Sequence, residues 1–231
     1  MLIAIEGLDG SGKQTQAELL SKALKNDKGE NNVISLSYPK YGSPCCIGVE
    51  KYLKGDFGQK PEDVNAYTAS MFYALDRYAD YAENWGKHYT EGMYVVADRY
   101  VQSNMIYQLT KLPKSEWDTY IRWLENLEYK YNGLPKPDLT IYLFIPIEIS
   151  QRLMTERYIG DETKKDIHEK NVEFLQKCFN VADYLSKRQG WKIIDCTNSD
   201  GTLKSKEEIA ARVYAVIKSK EKAISFNVNI T

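Results

Sequence analysis

Apolar, β-branched runs recur along the chain between stretches of helical periodicity. That alternation predicts a parallel sheet with crossover helices. Strands are expected at Leu2–Glu6, Asn32–Tyr38, Met93–Asp98, Leu139–Ile145 and Lys192–Cys196. Helices are expected over Gly12–Lys25, Pro61–Trp85, Ser115–Tyr131, Ile147–Tyr158, Asp166–Arg188 and Ser205–Lys218. Ser115-Glu116-Trp117-Asp118 reads as a capping box, and Asn132-Gly133 as the stop of that helix. The tail Ala223–Thr231 alternates apolar and polar residues, which suggests an added edge strand. With no repeat, low-complexity tract or interdomain linker, residues 1–231 read as one doubly wound α/β domain.

The first strand runs directly into Gly7-Leu8-Asp9-Gly10-Ser11-Gly12-Lys13, which satisfies G-x-x-x-x-G-K between a strand and a helix. Glycines there let consecutive backbone N–H groups converge on phosphate oxygens, and the helix aims its N-terminus at them. Lys13 would reach the β- and γ-phosphates as a point charge. The strict motif has Ser or Thr after the lysine as the Mg²⁺ hydroxyl. Here Gln14 stands there and Thr15 follows, so Thr15 becomes the candidate hydroxyl. Asp9 is an unusual carboxylate among phosphates. It serves the metal, serves a substrate hydroxyl, or caps its own turn.

Only seven of the 31 basic residues are arginine, so arginine positions carry information. Two lie in identical tripeptides, Asp76-Arg77-Tyr78 and Asp98-Arg99-Tyr100. The second closes a strand, which puts Asp98 and Arg99 at the carboxyl edge where open α/β sheets bind ligands. A surface ion pair is the plain alternative for Arg99, and a structural salt bridge is the stronger rival for Arg77. Arg152 and Arg157 precede a polar segment, Tyr158 to Lys165, between two helices. In a phosphate-transfer enzyme a cation-bearing segment of that kind reads as a lid, here over about 157–166, and otherwise as a solvated loop.

A net charge of −1 supplies no field for a nucleic-acid polyanion. No apolar run approaches a membrane span, and the amino terminus lacks the basic region of a signal peptide. A cytoplasmic protein is the expectation. Cys45, Cys46, Cys178 and Cys196, with His88 and His168, do not have zinc-site spacing, and reduced thiols are expected.

In these residues the sequence resembles the thymidylate kinases, over nearly its whole length. The resemblance rests on the glycine loop, Tyr38-Pro39-Lys40-Tyr41-Gly42, Ala74-Leu75-Asp76-Arg77 and Asp98-Arg99-Tyr100-Val101-Gln102-Ser103-Asn104. Leu134-Pro135-Lys136-Pro137-Asp138 and Glu156-Arg157 add to it. It implies a P-loop NTPase fold with a five-stranded parallel sheet in the order 2-3-1-4-5, a short lid and a homodimer. It implies MgATP and deoxythymidine monophosphate (dTMP) as substrates. ATP would lie against Gly7 to Thr15, with Asp9 near the acceptor's 3′-hydroxyl and Arg99 on its phosphate beside Lys40 and Tyr41. Tyr73 takes the place of the ring that stacks on thymine. Arg77 would reach a base carbonyl near Asn104 or Gln108, with Ser103 in the same block and Tyr107 beneath the sugar. Asp166 and His168 match positions that approach the substrate in some members. Asp98 and Asp9 are the carboxylates assigned to Mg²⁺, Asp98 directly or through water. Many members have arginine where Lys40 stands, and some carry an arginine in the loop where this chain has Gln14. Arg152, Arg157, Lys164 and Lys165 are then the candidate transition-state cations.

Phosphoryl transfer asks mainly for positioning and charge neutralisation, which suits a chain without a Ser-His-Asp set. Two rivals remain: a kinase for another nucleoside monophosphate or a deoxynucleoside, and a nucleotide-dependent switch or scaffold. Neither a switch nor a scaffold needs a cationic lid or an aromatic acceptor pocket.

Overall fold

Strands form where the apolar runs lie: β1 Leu2–Glu6, β2 Val33–Ser37, β3 Tyr94–Asp98, β4 Leu139–Phe144 and β5 Lys192–Asp195. The computed structural model describes residues 1–159, 161, 163 and 165–228. All strand pairs are parallel, in the order β2-β3-β1-β4-β5. β1 is central and buried along its whole length, as a strand covered on both faces must be. Its side chains alternate between two cores. Ile3 and Ile5 meet helices α1 (Lys13–Lys28) and α9 (Lys206–Val228), through Leu20, Leu24, Ile209 and Val213. Leu2 and Ala4 face the opposite core, built with α5 (Val101–Leu109), α6 (Trp117–Glu125) and α8 (Val172–Gln189).

A third, smaller core joins α2 (Ile47–Lys54) to α3 (Ala66–Asp80) and to Ile167, whose N–H bonds Leu53 O at 3.2 Å. This ties the chain beyond the expected lid to α2. α4 (Gly86–Thr90) and α7 (Ile147–Arg157) complete the helices.

Several expectations change in detail. The 61–85 helix begins only at Ala66, where Asn65 accepts from Thr68 N–H at 2.8 Å, and widens into a π-turn over Tyr81–Trp85. The capping box at Ser115 does not form. Lys114–Glu116 is a 3₁₀ turn, and α6 starts at Trp117 without a side-chain cap. The helix expected from Asp166 starts at Val172 instead. Asp166 Oδ1 accepts from the N–H groups of His168 and Glu169, at 2.8 and 2.9 Å, and holds a separate turn. The edge strand at the tail is corrected as well, because α9 continues to Val228. Its late turns are tied down by Glu221, which takes Tyr94 Oη at 2.6 Å and Lys28 Nζ at 3.0 Å, and a two-residue alternation does not override such anchoring. Residues 229–231 lie outside the described residues. The four cysteines are free thiols. Among the described residues, no helix is long and apolar enough to cross a membrane.

Candidate active site

The glycine loop has the shape its sequence predicts, and two of its glycines are required by close approach. A Cβ on Gly10, at φ +78°, would sit 2.4 Å from Ser150 O of α7, and one on Gly7 would sit 2.4 Å from Ser11 Oγ. Gly12, also at φ +78°, is the N-cap of α1 and has open space around it. Lys13 is buried, with Nζ donating to Leu8 O at 3.1 Å and standing 3.7 Å from Asp9 Oδ1. Burial, followed by the nearby Arg99 charge, lowers its pKa to about 8.

At the end of β3 the chain turns sharply. Arg99 has φ +66°, a conformation costly for a residue with a Cβ, and its N–H extends the ladder by one bond to Ile5 O at 3.1 Å. The turn is held from β1. Glu6, wholly buried, accepts from Tyr100 N–H at 2.8 Å and from Ser103 Oγ at 2.6 Å. Burial raises the Glu6 pKa against those hydrogen bonds. The Arg99 guanidinium bonds Asp9 closely and reaches Ser103 Oγ at 3.3 Å and Tyr107 Oη at 3.4 Å. Tyr107 Oη in turn donates to Asp9 Oδ2 at 2.8 Å. Asp9 is thereby held well below the usual carboxylate range by Arg99 and Lys13, which outweigh its burial.

These groups open onto a cavity of about 470 Å³. Its walls include Asp9, Lys13, Gln14, Asp98 and Arg99 from the glycine loop, the start of α1 and the end of β3, and Tyr73, Arg77, Asn104, Tyr107 and Gln108 from α3 and α5. Tyr41, Ser103, Arg157, Asp166 and His168 also line it. Tyr107 and His168 stack, with centroids 5.3 Å apart and planes at 16°. Burial, reinforced by the Lys111 charge, pushes the His168 pKa down to about 3, so the ring is neutral. Asp166 is pushed up to about 7 by burial and then by the Asp9 and Glu169 charges. Several buried polar atoms around the cavity lack a partner among the described residues: Ser11 Oγ in the loop, Asp98 Oδ1, and both amide atoms of Gln108. Unmatched polar atoms grouped in this way suit a polar ligand.

Several expected residues are placed otherwise. Arg77 touches the cavity, but it is buried and its Nε and Nη2 are both given to the equally buried Glu128. Lys40 turns its ammonium away to Asp80 Oδ1 at 2.9 Å and does not line the cavity. Arg152 is 62% exposed on α7 beside Glu156, whereas Arg157 one turn and a half later reaches the wall. Thr15 lies off the cavity, and Gln14 lines it while bonding Glu18 at 3.1 Å. Lys165 is buried outside the wall, and Lys164 lies outside the described residues.

The sequence reading did not single out Glu6, Tyr158 and Glu169. Tyr158 Oη reaches both Glu169 oxygens, at 3.0 and 2.8 Å, and both residues line the cavity. Glu6 had a signal: a carboxylate closing an otherwise apolar, central strand.

A glycine loop after β1, an arginine corner after the neighbouring β3 and a polar cleft between them define a nucleotide-handling protein of the P-loop NTPase class. The thymidylate kinase profile matches residues 5–209. A thymidylate kinase of Mycobacterium tuberculosis (strain H37Rv) is 31% identical over 198 residues, spanning 83% of this chain and 87% of the relative. One from Caenorhabditis elegans is 27% identical over 222 residues, spanning 93% and 89%. Among solved structures, the thymidylate kinase of Candida albicans superposes with a TM-score of 0.70 at 23% identity, covering 95% of this chain and 92% of that one. The chain belongs to the thymidylate kinase family.

Proposed function

We propose that the protein transfers the γ-phosphate of MgATP to dTMP, giving dTDP and ADP, by direct in-line displacement. The observation that carries this reading is the Asp9–Arg99–Tyr107 cluster beside Lys13, a cation for an acceptor phosphate next to a loop for a donor. The acceptor phosphate is itself the nucleophile, so the residues act by placement and charge. Lys13 and the loop from Gly7 to Thr15 hold the ATP phosphates. Arg99 grips the acceptor phosphate, braced by Asp9, Tyr107 and Ser103, and the Ser11 hydroxyl is free to donate to phosphate. Arg157 brings charge to the transferring group from the segment after α7, the lid of a single kinase domain.

Mg²⁺ bound to the ATP phosphates would neutralise charge on the β- and γ-oxygens. Such an ion keeps several waters and needs one or two carboxylates, and the described residues contain no three-residue cluster that could cage it. Asp98, with Oδ1 unmatched, fits that need. Asp9 has both oxygens engaged and Thr15 is off the cavity, so neither fits as well.

On the acceptor side Tyr73 stacks on the base, Tyr107 lies beneath the sugar, and Asn104 and Gln108 face base polar groups with Asp166 and His168 nearby. Met71, Leu75 and Tyr78 form an exposed apolar stripe along α3, at helical spacing, which supports a homodimer. A cytoplasmic location suits a nucleotide substrate.

The test is ADP formation across a panel of monophosphates. dTMP should exceed dUMP by roughly 10–200-fold at most, since only a methyl separates them. Both should exceed UMP, AMP and GMP widely, as Tyr107 leaves a ribose 2′-hydroxyl no partner. AMP or GMP as the best acceptor would overturn the dTMP assignment.

A further inference from the structure

Behind the acceptor wall lies a polar chain that the reaction as described does not use. Lys111 follows α5 and is partly buried. Its Nζ donates to Tyr52 Oη and to Val64 O, both at 2.9 Å, and sits 4.8 Å above the Tyr52 ring. No carboxylate pairs with it among the described salt bridges, and burial holds its pKa down to about 7. An ammonium that is desolvated and given only neutral acceptors is costly to keep. Its principal acceptor, the buried Tyr52 hydroxyl, lies 2.7 Å from His168 Nε2. His168 then stacks on Tyr107, which holds Asp9.

Proton counting orients this chain. Below pH 7 Lys111 is an ammonium and only donates, so Tyr52 Oη accepts from it and has one proton of its own to give. Pro61 O is a long 3.4 Å away, whereas His168 Nε2 is at 2.7 Å. The shorter bond takes the proton, so Nε2 accepts and the ring hydrogen resides on Nδ1. Nδ1 has no hydrogen-bond partner among the described residues, on a ring that lines the cavity.

We propose that Lys111 and Tyr52 are positioning residues that hold His168 as its Nδ1–H tautomer, so that the ring presents a donor to an oxygen of the acceptor nucleoside. The second half of this rests on the dTMP kinase reading; the first does not. A pyrimidine deoxynucleotide offers base carbonyls and a sugar ring oxygen that only accept, besides a 3′-hydroxyl that can do either. A ring with the proton on Nε2 would meet a carbonyl or ring oxygen with a lone pair and repel it. Tyr52 acts at a distance from the nucleotide, through the proton it places.

With only two histidines, ¹⁵N spectra of the labelled full-length protein separate His168 from the exposed His88. In the ligand-free protein at pH 6, His168 should show a protonated Nδ1 and an unprotonated Nε2, and added dTMP should shift the Nδ1 signal. Tyr52→Phe keeps the ring and removes the hydroxyl. It should release the tautomer and raise KM for dTMP about three- to tenfold, the worth of one hydrogen bond, with KM for ATP unchanged. Lys111→Met should shift the same KM in the same direction while the melting profile remains cooperative. An Nε2–H tautomer in the wild-type protein overturns the proposal even if that protein phosphorylates dTMP, and needs no variant to fold. Equal rises in KM for both substrates would also overturn it. Failure to phosphorylate dTMP would instead remove the kinase reading and leave the tautomer result to stand alone.

Discussion

Arg99 and Asp9 lie 90 residues apart in the chain and are paired directly across the cleft, with Tyr107 closing the triangle at 2.8 Å from the carboxylate. A dianionic phosphate arriving at Arg99 must share a guanidinium already partly neutralised, which favours the doubly charged acceptor over weaker anions. Arg99→Ala should raise KM for dTMP by at least an order of magnitude and alter KM for ATP far less. Steady-state kinetics with each substrate varied decide this, and an equal loss for both would make the pair purely structural.

Lys13→Ala should leave the fold intact and lower kcat by roughly 10²–10³-fold, the cost of removing one preorganised charge from a transferring group. Burial of a lysine whose nearest carboxylate is at 3.7 Å is otherwise unfavourable, so the melting temperature should hold or rise. A folded variant with near-normal turnover would remove the loop from the reaction.

The two arginines of α7 should behave differently. Arg157→Gln should lower kcat with little change in either KM, because its contact strengthens as charge develops on the moving group. Arg152→Gln, exposed and paired loosely with Glu156 at 3.9 Å, should change kcat less than twofold. Assaying both singles side by side checks the contrast, and a reversed order would move the lid role to Arg152.

Glu128 is fully buried against Arg77. Removing one member of such a pair leaves an uncompensated charge, so Glu128→Ala should cost about 3–5 kcal/mol in urea unfolding. A change under 1 kcal/mol would show that Arg77 has another anion to turn to.

Asp166 gives a pH signature. Its folded pKa, raised to about 7 from an ordinary 3.8, means that the folded state keeps a proton the unfolded chain has lost. Its contribution is therefore full below pH 3.8 and is lost as pH rises through about 7. Asp166→Asn should melt near the wild-type temperature at pH 4 and gain on it progressively up to pH 7.5. His168, lowered to about 3, acts oppositely in both proteins, costing stability as pH falls below 6.5, so only the difference between the two curves is diagnostic. A constant difference across that range would contradict the shift.

The inner strands β1, β3 and β4 were legible to within one residue because a strand covered on both faces is a nearly uninterrupted apolar run. Helix α5 was not, for the same cause acting on a helix: eight of its nine residues are buried, so no polar face remains to give a 3.6-residue rhythm. Arg77 and Arg99 show what a motif leaves open. Both sit in Asp-Arg-Tyr, yet one falls inside a helix opposite Glu128 and the other on a strand end facing a cavity. Which carboxylate a buried arginine meets 51 residues away is a tertiary fact with no local signature. The glycine loop was readable throughout, because its spacing is dictated by backbone approach.

The pairing of β1 with β3 has a mechanical consequence. Ile5 stands in register with Asp98, so the glycine loop and the Arg99 corner leave the sheet from the same rung of one hydrogen-bonded ladder. Neighbouring strands keep a spacing of about 4.8 Å set by their amide bonds. Bending or twisting of the sheet carries both exits together, and their separation stays nearly constant while the surrounding helices fluctuate. The reach across which two phosphoryl groups would meet is thus gauged by main-chain geometry, and side-chain substitution in the cleft can change what is held there without recalibrating it.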